Sequence, residues 1–206
     1  MLRGYLHLAA ALVAPLALVT LVLRAESPRG YVGAAIFGTG LILLFATSAA
    51  YHILPWLPRA RAVVRRIDHS MIFVAVAALY TPFCLQALDD AWGIPMLVTI
   101  WSLAAAGIIL KQVWFRAPGW LAVGTYVVIG WSALATTPKL VSALHAASVL
   151  TLLASGACFT IGAIVFASRR PNPLPRVFGY HEVFHTLVTA GAALVYVVVA
   201  ADVVTR

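Results

Sequence analysis

The feature that most constrains the fold is a series of apolar runs, each about as long as a membrane-spanning helix and joined by short polar loops. A bilayer core about 30 Å thick needs roughly 20 apolar residues in a helix. Seven runs approach that length, at about 4–23, 31–54, 67–88, 91–110, 118–135, 141–166 and 179–204. Of the 206 residues, 63% are hydrophobic and 10% are charged, which is more apolar surface than a soluble domain can bury. The sequence therefore predicts an all-α integral membrane protein, with residues 1–206 forming one domain of seven transmembrane helices.

The basic residues indicate how these helices are oriented. With seven spans, ten lysines and arginines fall on the side of the N-terminus and four on the other side. Because cytoplasmic loops carry an excess of Lys and Arg, the N-terminus is predicted to be cytoplasmic and the C-terminus outside, in a plasma or inner membrane. A net charge of +8 would suggest nucleic acid as the partner of a soluble protein. Here the charges flank membrane spans, so membrane lipids are the expected partners and nucleic acid is not.

The start of the last apolar run carries a metal-binding pattern. Residues 179–185 read Gly-Tyr-His-Glu-Val-Phe-His. His181 and His185 are four residues apart, so on a helix they lie on one face, a turn apart. That spacing suits two imidazoles that bind one metal ion, most often zinc. The alternative is a pair of interfacial histidines that face lipid headgroups.

Other polar residues are predicted at the same depth in the membrane. The second run ends at the cytoplasmic face, where the third and seventh begin, so His52 and Asp68 are expected near His181 and His185. Three neutral imidazoles with one open position form the pattern of a catalytic zinc site. Asp68 and Ser48 are then candidates to orient a water and a histidine there. Their structural alternatives are a carboxylate at a helix start and a hydroxyl bonded to the preceding turn.

The remaining three histidines are predicted not to be ligands. His7, near the start of the first run, is expected at the membrane interface, and His145, near the start of the sixth, is expected to be interfacial or packed. His69 is rotated by about 100° from Asp68 on a helix, so the two side chains cannot both face one site squarely.

Four segments of the chain match a known family: Ser-Ala-Ala-Tyr-His at 48–52, Asp-His-Ser at 68–70, Ala-Ala-Leu-Tyr-Thr-Pro-Phe at 77–83 and His-Glu-Val-Phe-His at 181–185. With them the chain resembles the progestin and adipoQ receptor family, and within it the bacterial hemolysin III group. The resemblance covers nearly the whole chain. It implies seven transmembrane helices, a cytoplasmic N-terminus and a zinc ion bound by His52, His181 and His185. By the same resemblance, Asp68 holds a water at the zinc and Ser48 supports the site.

The seventh run also fits the His-Glu-x-x-His pattern of metalloproteases, in which Glu182 would be the general base. Such a site needs a further ligand from another segment. No aspartate in the chain is followed by glycine, as intramembrane site-2 proteases require, and Val188 and Gly191 stand where the metzincin pattern needs glycine and histidine. A protease is therefore the least favoured reading. Glu182 is predicted either to touch the site's water or to be a solvated residue at a helix start.

The sequence leaves three classes of function open for a zinc site of this kind. The resembling receptors, and the alkaline ceramidases that look like their relatives, imply zinc-dependent hydrolysis of a lipid amide. The name of the hemolysin III group suggests pore formation or lysis, although no ring of charges or polar stripe along the spans is present to line a pore. The third class is a non-catalytic sensor or regulator of the membrane, in which zinc is a structural brace.

Overall fold

The computed structural model describes residue 2 and residues 4–114 and 119–206, and within this part the protein is helical. Two of the ten basic residues used for orientation, Arg3 and Arg116, and the predicted start of the fifth run at Pro118 lie outside the described residues. The helices are α1 (Tyr5–Arg24), α2 (Pro28–Ile53), α3 (Pro58–Pro82), α4 (Asp90–Val113), α5 (Gly119–Trp131), α6 (Thr137–Ala143), α7 (Ala146–Ser168) and α8 (Tyr180–Val198).

Six helices are long and apolar enough to cross a membrane. They are α1, α2, α3 with the π-helical turn Phe83–Ala87 that follows it, α4, α7, and α8 with the π-helical turn Val199–Val203. Their outer faces are apolar: Leu12 and Leu16 of α1, for example, are 70% and 69% exposed. No β-strand occurs in the described part of the chain, where the one β-type pairing is an isolated bridge between Leu174 and Phe178. The prediction of an all-α integral membrane protein is confirmed.

The fifth predicted run differs from the other six. It forms α5 and a 3₁₀ helix at Ser132–Thr136, and α6, which begins after the predicted end of the run at 135, follows directly. Each piece is shorter than the roughly 20 residues that a straight crossing needs. The described residues therefore contain six long apolar helices rather than seven, and a seventh crossing depends on this composite segment.

Helix α3 begins well before the predicted start of the third run at residue 67. Leu57 is extended and Pro58 takes the first helical turn, a position that suits proline because its missing N–H has no helical partner there. Arg59 and Arg61 consequently lie on the first turn of the helix and not in a loop. The predicted start lies too far along the chain because it was placed where the apolar run begins, and the arginines of the first helical turns are not part of that run.

The sixth predicted run, at 141–166, is also divided. Helix α6 ends at Ala143, Leu144 and His145 are extended, and α7 begins at Ala146. The carboxylate of Asp202, at the end of the last helix, accepts a hydrogen bond of 2.8 Å from the backbone N–H of His145. This contact satisfies a backbone group at the break and so stabilises the interruption of the helix inside an apolar run.

The main core lies between α1, α2 and α8. Helix α1 buries His7, Ala14 and Leu21, which are spaced by seven residues and so form one inward stripe along the helix. Opposite them are Phe37 and Phe45 of α2, together with a row of valines at the end of the last helix. The stripe fixes the rotation of α1 and directs His7 inward.

The start of α1 is held against the end of α2 and the loop before α8. Gly4 has a positive φ of 89°, and a Cβ added there would lie 2.8 Å from the Cβ of His52, so only glycine suits this position. The N–H of Leu2 donates a hydrogen bond of 3.1 Å to the carbonyl of Val177. The starts of α1, α3 and α8 and the end of α2 thus meet at one end of the bundle.

Candidate metal centre

The end of α2 and the start of α8 bring three histidine side chains together. His52 is the last residue but one of α2, and His181 and His185 lie on the first two turns of α8. The ring centroids are 4.8 Å apart for His52–His181, 5.1 Å for His52–His185 and 4.6 Å for His181–His185. One ligand atom from each residue lies within 4.8 Å of the other two. The three predicted ligands therefore meet, although most of the chain separates them.

This donor set can hold a divalent transition metal. Imidazole nitrogens suit such ions, whereas Mg²⁺ and Ca²⁺ prefer oxygen ligands. Nitrogens bound tetrahedrally at 2.0–2.1 Å from one ion stand about 3.3 Å apart, so modest rotations of the three rings would close them on an ion. The residues present fit a site with three protein ligands and an open fourth position.

Aromatic side chains flank the three imidazoles, of which His185 is buried and the other two are partly exposed. The ring of Phe166, from α7, lies 5.5 Å from that of His181 and 5.0 Å from that of Phe184. The Tyr51 ring lies 4.6 Å from that of His52 on the α2 side. An apolar surround of this kind limits the access of water and strengthens electrostatic interactions at the centre.

Ser48 and Asp68 form a second polar pair next to the imidazoles. Ser48 lies one turn before His52 on α2 and is 3% exposed. The Asp68 carboxyl, at the same end of α3, has a side chain that is 13% exposed and interacts with the Ser48 hydroxyl. Ser48 thus places a hydroxyl one helical turn from His52, and the Asp68 carboxyl of α3 is close enough to interact with it.

Glu182 caps the start of α8. Its side chain is 2% exposed, and its Oε2 accepts a hydrogen bond of 2.9 Å from the backbone N–H of Gly179. The bond satisfies one of the N–H groups that a helix start leaves without an intrahelical partner. Of the two predicted roles, the solvated one is wrong, because this carboxylate is buried at the cap.

His7 also lies next to the three histidines, a location that the sequence did not predict. It is 3% exposed, so the predicted interfacial location is wrong. Its ring stacks on that of His185, with centroids 3.9 Å apart and an angle of 6° between the planes. Its Nδ1 lies 2.8 Å from Oγ of Ser48. His7 therefore contacts one member of the histidine cluster and one member of the polar pair.

The signal for His7 was present in the sequence. The start of the first run is predicted at the same membrane face as His52 and His181, since the N-terminus is predicted to be cytoplasmic. The prediction failed because a single histidine near a span end is also typical of the interface.

His69 and His145 lie outside the histidine cluster. The Nδ1 of His69 is 2.7 Å from the carbonyl oxygen of Arg65, on its own helix. The Nδ1 of His145 is 2.9 Å from Oδ1 of Asp202, a residue in the π-helical turn that follows α8. The cluster of His52, His181 and His185 includes neither of them.

Known proteins resemble the chain over most of its length. The model of the "Haemolysin-III related" family matches residues 1–196. The chain is 30% identical over 183 residues to the Hemolysin-3 homolog of Bacillus subtilis (strain 168), covering 87% of this chain and 83% of the relative. Hemolysin-3 of Bacillus cereus is also 30% identical over 183 residues, with 87% and 80% covered. Monocyte to macrophage differentiation factor of Homo sapiens is 25% identical over 169 residues, with 78% and 66% covered.

The family match agrees with the fold. It extends from the first residue into α8 and includes all the residues of the histidine cluster and of the polar pair. Six apolar helices of membrane-spanning length, together with relatives in bacteria, fit a multi-pass protein of the plasma membrane. The predicted resemblance is confirmed, and the chain belongs to the haemolysin-III related family of membrane proteins.

Proposed function

We propose that the protein is a zinc-dependent hydrolase that cleaves an amide bond in a membrane lipid, with His52, His181 and His185 as the zinc ligands. The observation that carries the proposal is the meeting of three imidazoles next to a linked hydroxyl–carboxyl pair. Three histidines with an open fourth position are typical of catalytic zinc, whereas structural zinc sites usually have four protein ligands.

In the proposed reaction, the metal and the side chains of the protein have separate roles. Bound zinc supplies a Lewis acid that polarises a carbonyl and makes water a better nucleophile. Asp68 accepts a proton from the attacking water as the water oxygen bonds to the acyl carbon. Asp68 then returns the proton to the amide nitrogen as the carbon–nitrogen bond breaks. The products are a fatty acid and an amine, so atoms and charge balance without a redox partner.

Ser48 supports Asp68 in this scheme. A carboxylate is an acceptor only, so the Ser48 hydroxyl donates to it and fixes its orientation near the imidazoles. A base held in one orientation does not have to be ordered again for each turnover. The burial of Ser48 keeps water from competing for this hydrogen bond.

The proposed substrate class follows from where the centre lies. The histidines are at one end of an apolar bundle, close to the level expected for lipid headgroups. The polar head of a lipid can stay at the surface while its acyl chains remain between helices, with the bond joining them near the metal. Membrane lipids are therefore the proposed partners.

We also propose that residues 119–143 form the seventh crossing, with the N-terminus cytoplasmic and the C-terminus outside. Two contacts support it. Gln112, just before this segment, donates a hydrogen bond of 2.8 Å to Ser70, at the site end of α3. Lys139, near the end of the segment, is 3.2 Å from Asp89, at the opposite end. A 3₁₀ stretch rises about 2.0 Å per residue instead of 1.5 Å, which lengthens the segment's reach.

The decisive variant for the enzymatic proposal is Asp68→Asn, which keeps the shape of the side chain but removes the base. N-acyl lipids, ceramides among them, are offered in mixed micelles to purified full-length protein, and fatty-acid release is measured. The variant should keep its zinc and lose about 10²–10⁴-fold in rate, the usual contribution of a positioned base. Protein stripped of zinc should be inactive and should recover when zinc is restored.

Glu182→Gln is the matched control because it changes the other carboxylate close to the histidines. It should retain most of the activity, since Glu182 caps a helix. Activity that survives Asp68→Asn but disappears in Glu182→Gln would move the base to α8. If no N-acyl lipid releases fatty acid in a zinc-dependent way, the hydrolase proposal fails and a zinc-braced sensor is favoured.

A further inference from the structure

We propose that His7 is a positioning residue of the metal centre, which holds the Ser48 hydroxyl in place for Asp68 and supports the ring of His185. This inference rests on the proposed metal site and extends it to α1, a helix to which neither the motifs nor the family match assigns a role. It predicts that metal binding at His52, His181 and His185 depends on a residue that does not touch the metal.

The first observation is that His7 lies between the two helices that supply the proposed ligands. On the α2 side it contacts Ser48 through Nδ1, at 2.8 Å, and Phe45 through an edge-to-face ring contact at 5.1 Å. On the α8 side it stacks on His185 at 3.9 Å. A ring held on both sides in this way restricts the rotation of the His185 imidazole.

The second step is the direction that we propose for the hydrogen bonds. The Asp68 carboxylate interacts with the Ser48 hydroxyl and can only accept, so we assign the one proton of the hydroxyl to it. Ser48 then accepts from Nδ1 of His7 across the 2.8 Å contact. The network runs from His7 to Ser48 to Asp68, and each bond polarises the next. Removal of the first donor leaves the hydroxyl free to rotate.

The third observation is that packing alone does not explain a histidine at this position. The Nε2 of His7 is buried and makes no close hydrogen bond to the described residues, although the His7 ring also interacts with the backbone of His185. Burial of a polar nitrogen without a close partner costs free energy that a phenylalanine ring of similar shape would avoid. A phenylalanine could stack on His185 equally well, so stacking does not require a nitrogen at this position. The nitrogen that contacts the site is Nδ1, through Ser48.

Two variants separate the contributions of the ring and of Nδ1. His7→Phe keeps an aromatic ring against His185 but has no donor for Ser48. His7→Asn loses the ring but carries an amide N–H close to the position of Nδ1. His145→Phe is the matched control, because it makes the same exchange at the opposite end of the bundle.

The experiment titrates full-length, chelator-stripped protein in detergent with Zn²⁺ and with Co²⁺. We expect His7→Phe to weaken zinc binding by about 10–100-fold, the usual effect of losing a group that orients a ligand shell, and to shift the visible absorption bands of bound Co²⁺. His7→Asn should recover part of the affinity, because it restores the donor to Ser48 but not the ring that stacks on His185. His145→Phe should match the wild-type protein in both measurements.

The outcomes distinguish this inference from the metal proposal. If the wild-type protein binds neither metal, both are overturned. If it binds metal and His7→Phe has the same affinity and the same Co²⁺ spectrum, the inference alone is overturned. Should His7→Phe not fold, Ser48→Ala tests the same network from its other partner. In a Ser48→Ala background, His7→Asn should bind zinc no more tightly than His7→Phe. If it still binds zinc more tightly there, His7 does not act through Ser48, and the inference is overturned.

Discussion

At the scale of single residues, the histidines differ in the contacts that their ring nitrogens make. His7 and His69 both direct Nδ1 to a protein oxygen, of Ser48 and Arg65 respectively. His52, His181 and His185 instead bring one ligand atom each to a common point. The six histidines of the chain thus divide into three proposed ligands, His7 as their proposed support, His69 next to Asp68, and His145 at the opposite end of the bundle.

His52→Ala is the residue-scale test of the ligand set. Purified wild-type protein should contain about one zinc per chain by elemental analysis. The variant should contain much less, because two imidazoles from one helix leave two positions of a tetrahedral ion without protein ligands. His145→Ala is the control and should retain the full zinc content. An unchanged zinc content in His52→Ala would remove α2 from the ligand set.

The sequence predicted that these three histidines come together because their signals are local or follow from topology. The spacing of His181 and His185 marks one helix face, and alternation of spans brings His52 to the same depth. No such rule shows which way a lone histidine points. The burial of His7 depends on the stripe with Ala14 and Leu21 and on packing against α2, and these contacts exist only in the folded bundle.

At the scale of helices, the junction between α6 and α7 shows how a tertiary contact shapes secondary structure. Asp202, 4% exposed, accepts from the backbone of His145 and pairs with the side chains of His145 and Arg206. A single carboxylate thus joins the start of α7 to the end of the last helix. The join lies at the end of α8 opposite the histidine cluster.

Asp202→Ala should destabilise the protein without changing its metal content. Loss of hydrogen bonds to a buried charged group costs about 1–3 kcal/mol, so the midpoint of thermal unfolding in detergent should fall by several degrees. Asp90→Ala is the matched control: it removes the exposed partner of Arg29 and should leave the midpoint nearly unchanged. Equal midpoints for the two variants would refute a structural role for Asp202.

Helix boundaries were less predictable than helix identity, for a physical reason. Apolar runs mark the part of a helix inside the membrane, but a helix continues for as long as its backbone is satisfied. Helix α3 therefore extends back through Arg61 and Arg59 to Pro58. Within the long apolar run at 141–166, the contact with Asp202 compensates the break at His145.

At the scale of the whole molecule, the two ends of the described chain lie at opposite ends of the bundle. Leu2 contacts the loop before α8, whereas the carbonyl of Arg206 accepts from Ser27 and Gln86, which lie after α1 and at the end of the α3 span. An odd number of crossings would give this arrangement, and the seventh crossing that we propose for residues 119–143 would make the number odd.

Reporter fusions at the two termini test the topology. A reporter active only in the cytoplasm should be active at the N-terminus and silent after Arg206, because ten basic residues against four favour a cytoplasmic N-terminus. A reporter active only outside should show the reverse pattern. Activity of one reporter at both ends would place the termini on the same side and would exclude a seventh crossing by residues 119–143.

The separation of the ligands along the chain has a consequence for biosynthesis. His52 enters the membrane with the second helix, while His181 and His185 arrive with the last one, after more than half of the chain has been made. A partly synthesised protein therefore cannot retain the metal at this centre, and the zinc we propose is acquired only when insertion is complete. A chain whose synthesis ends before α8 would contain no zinc at this site. The zinc content of the protein would therefore report whether its insertion had been completed.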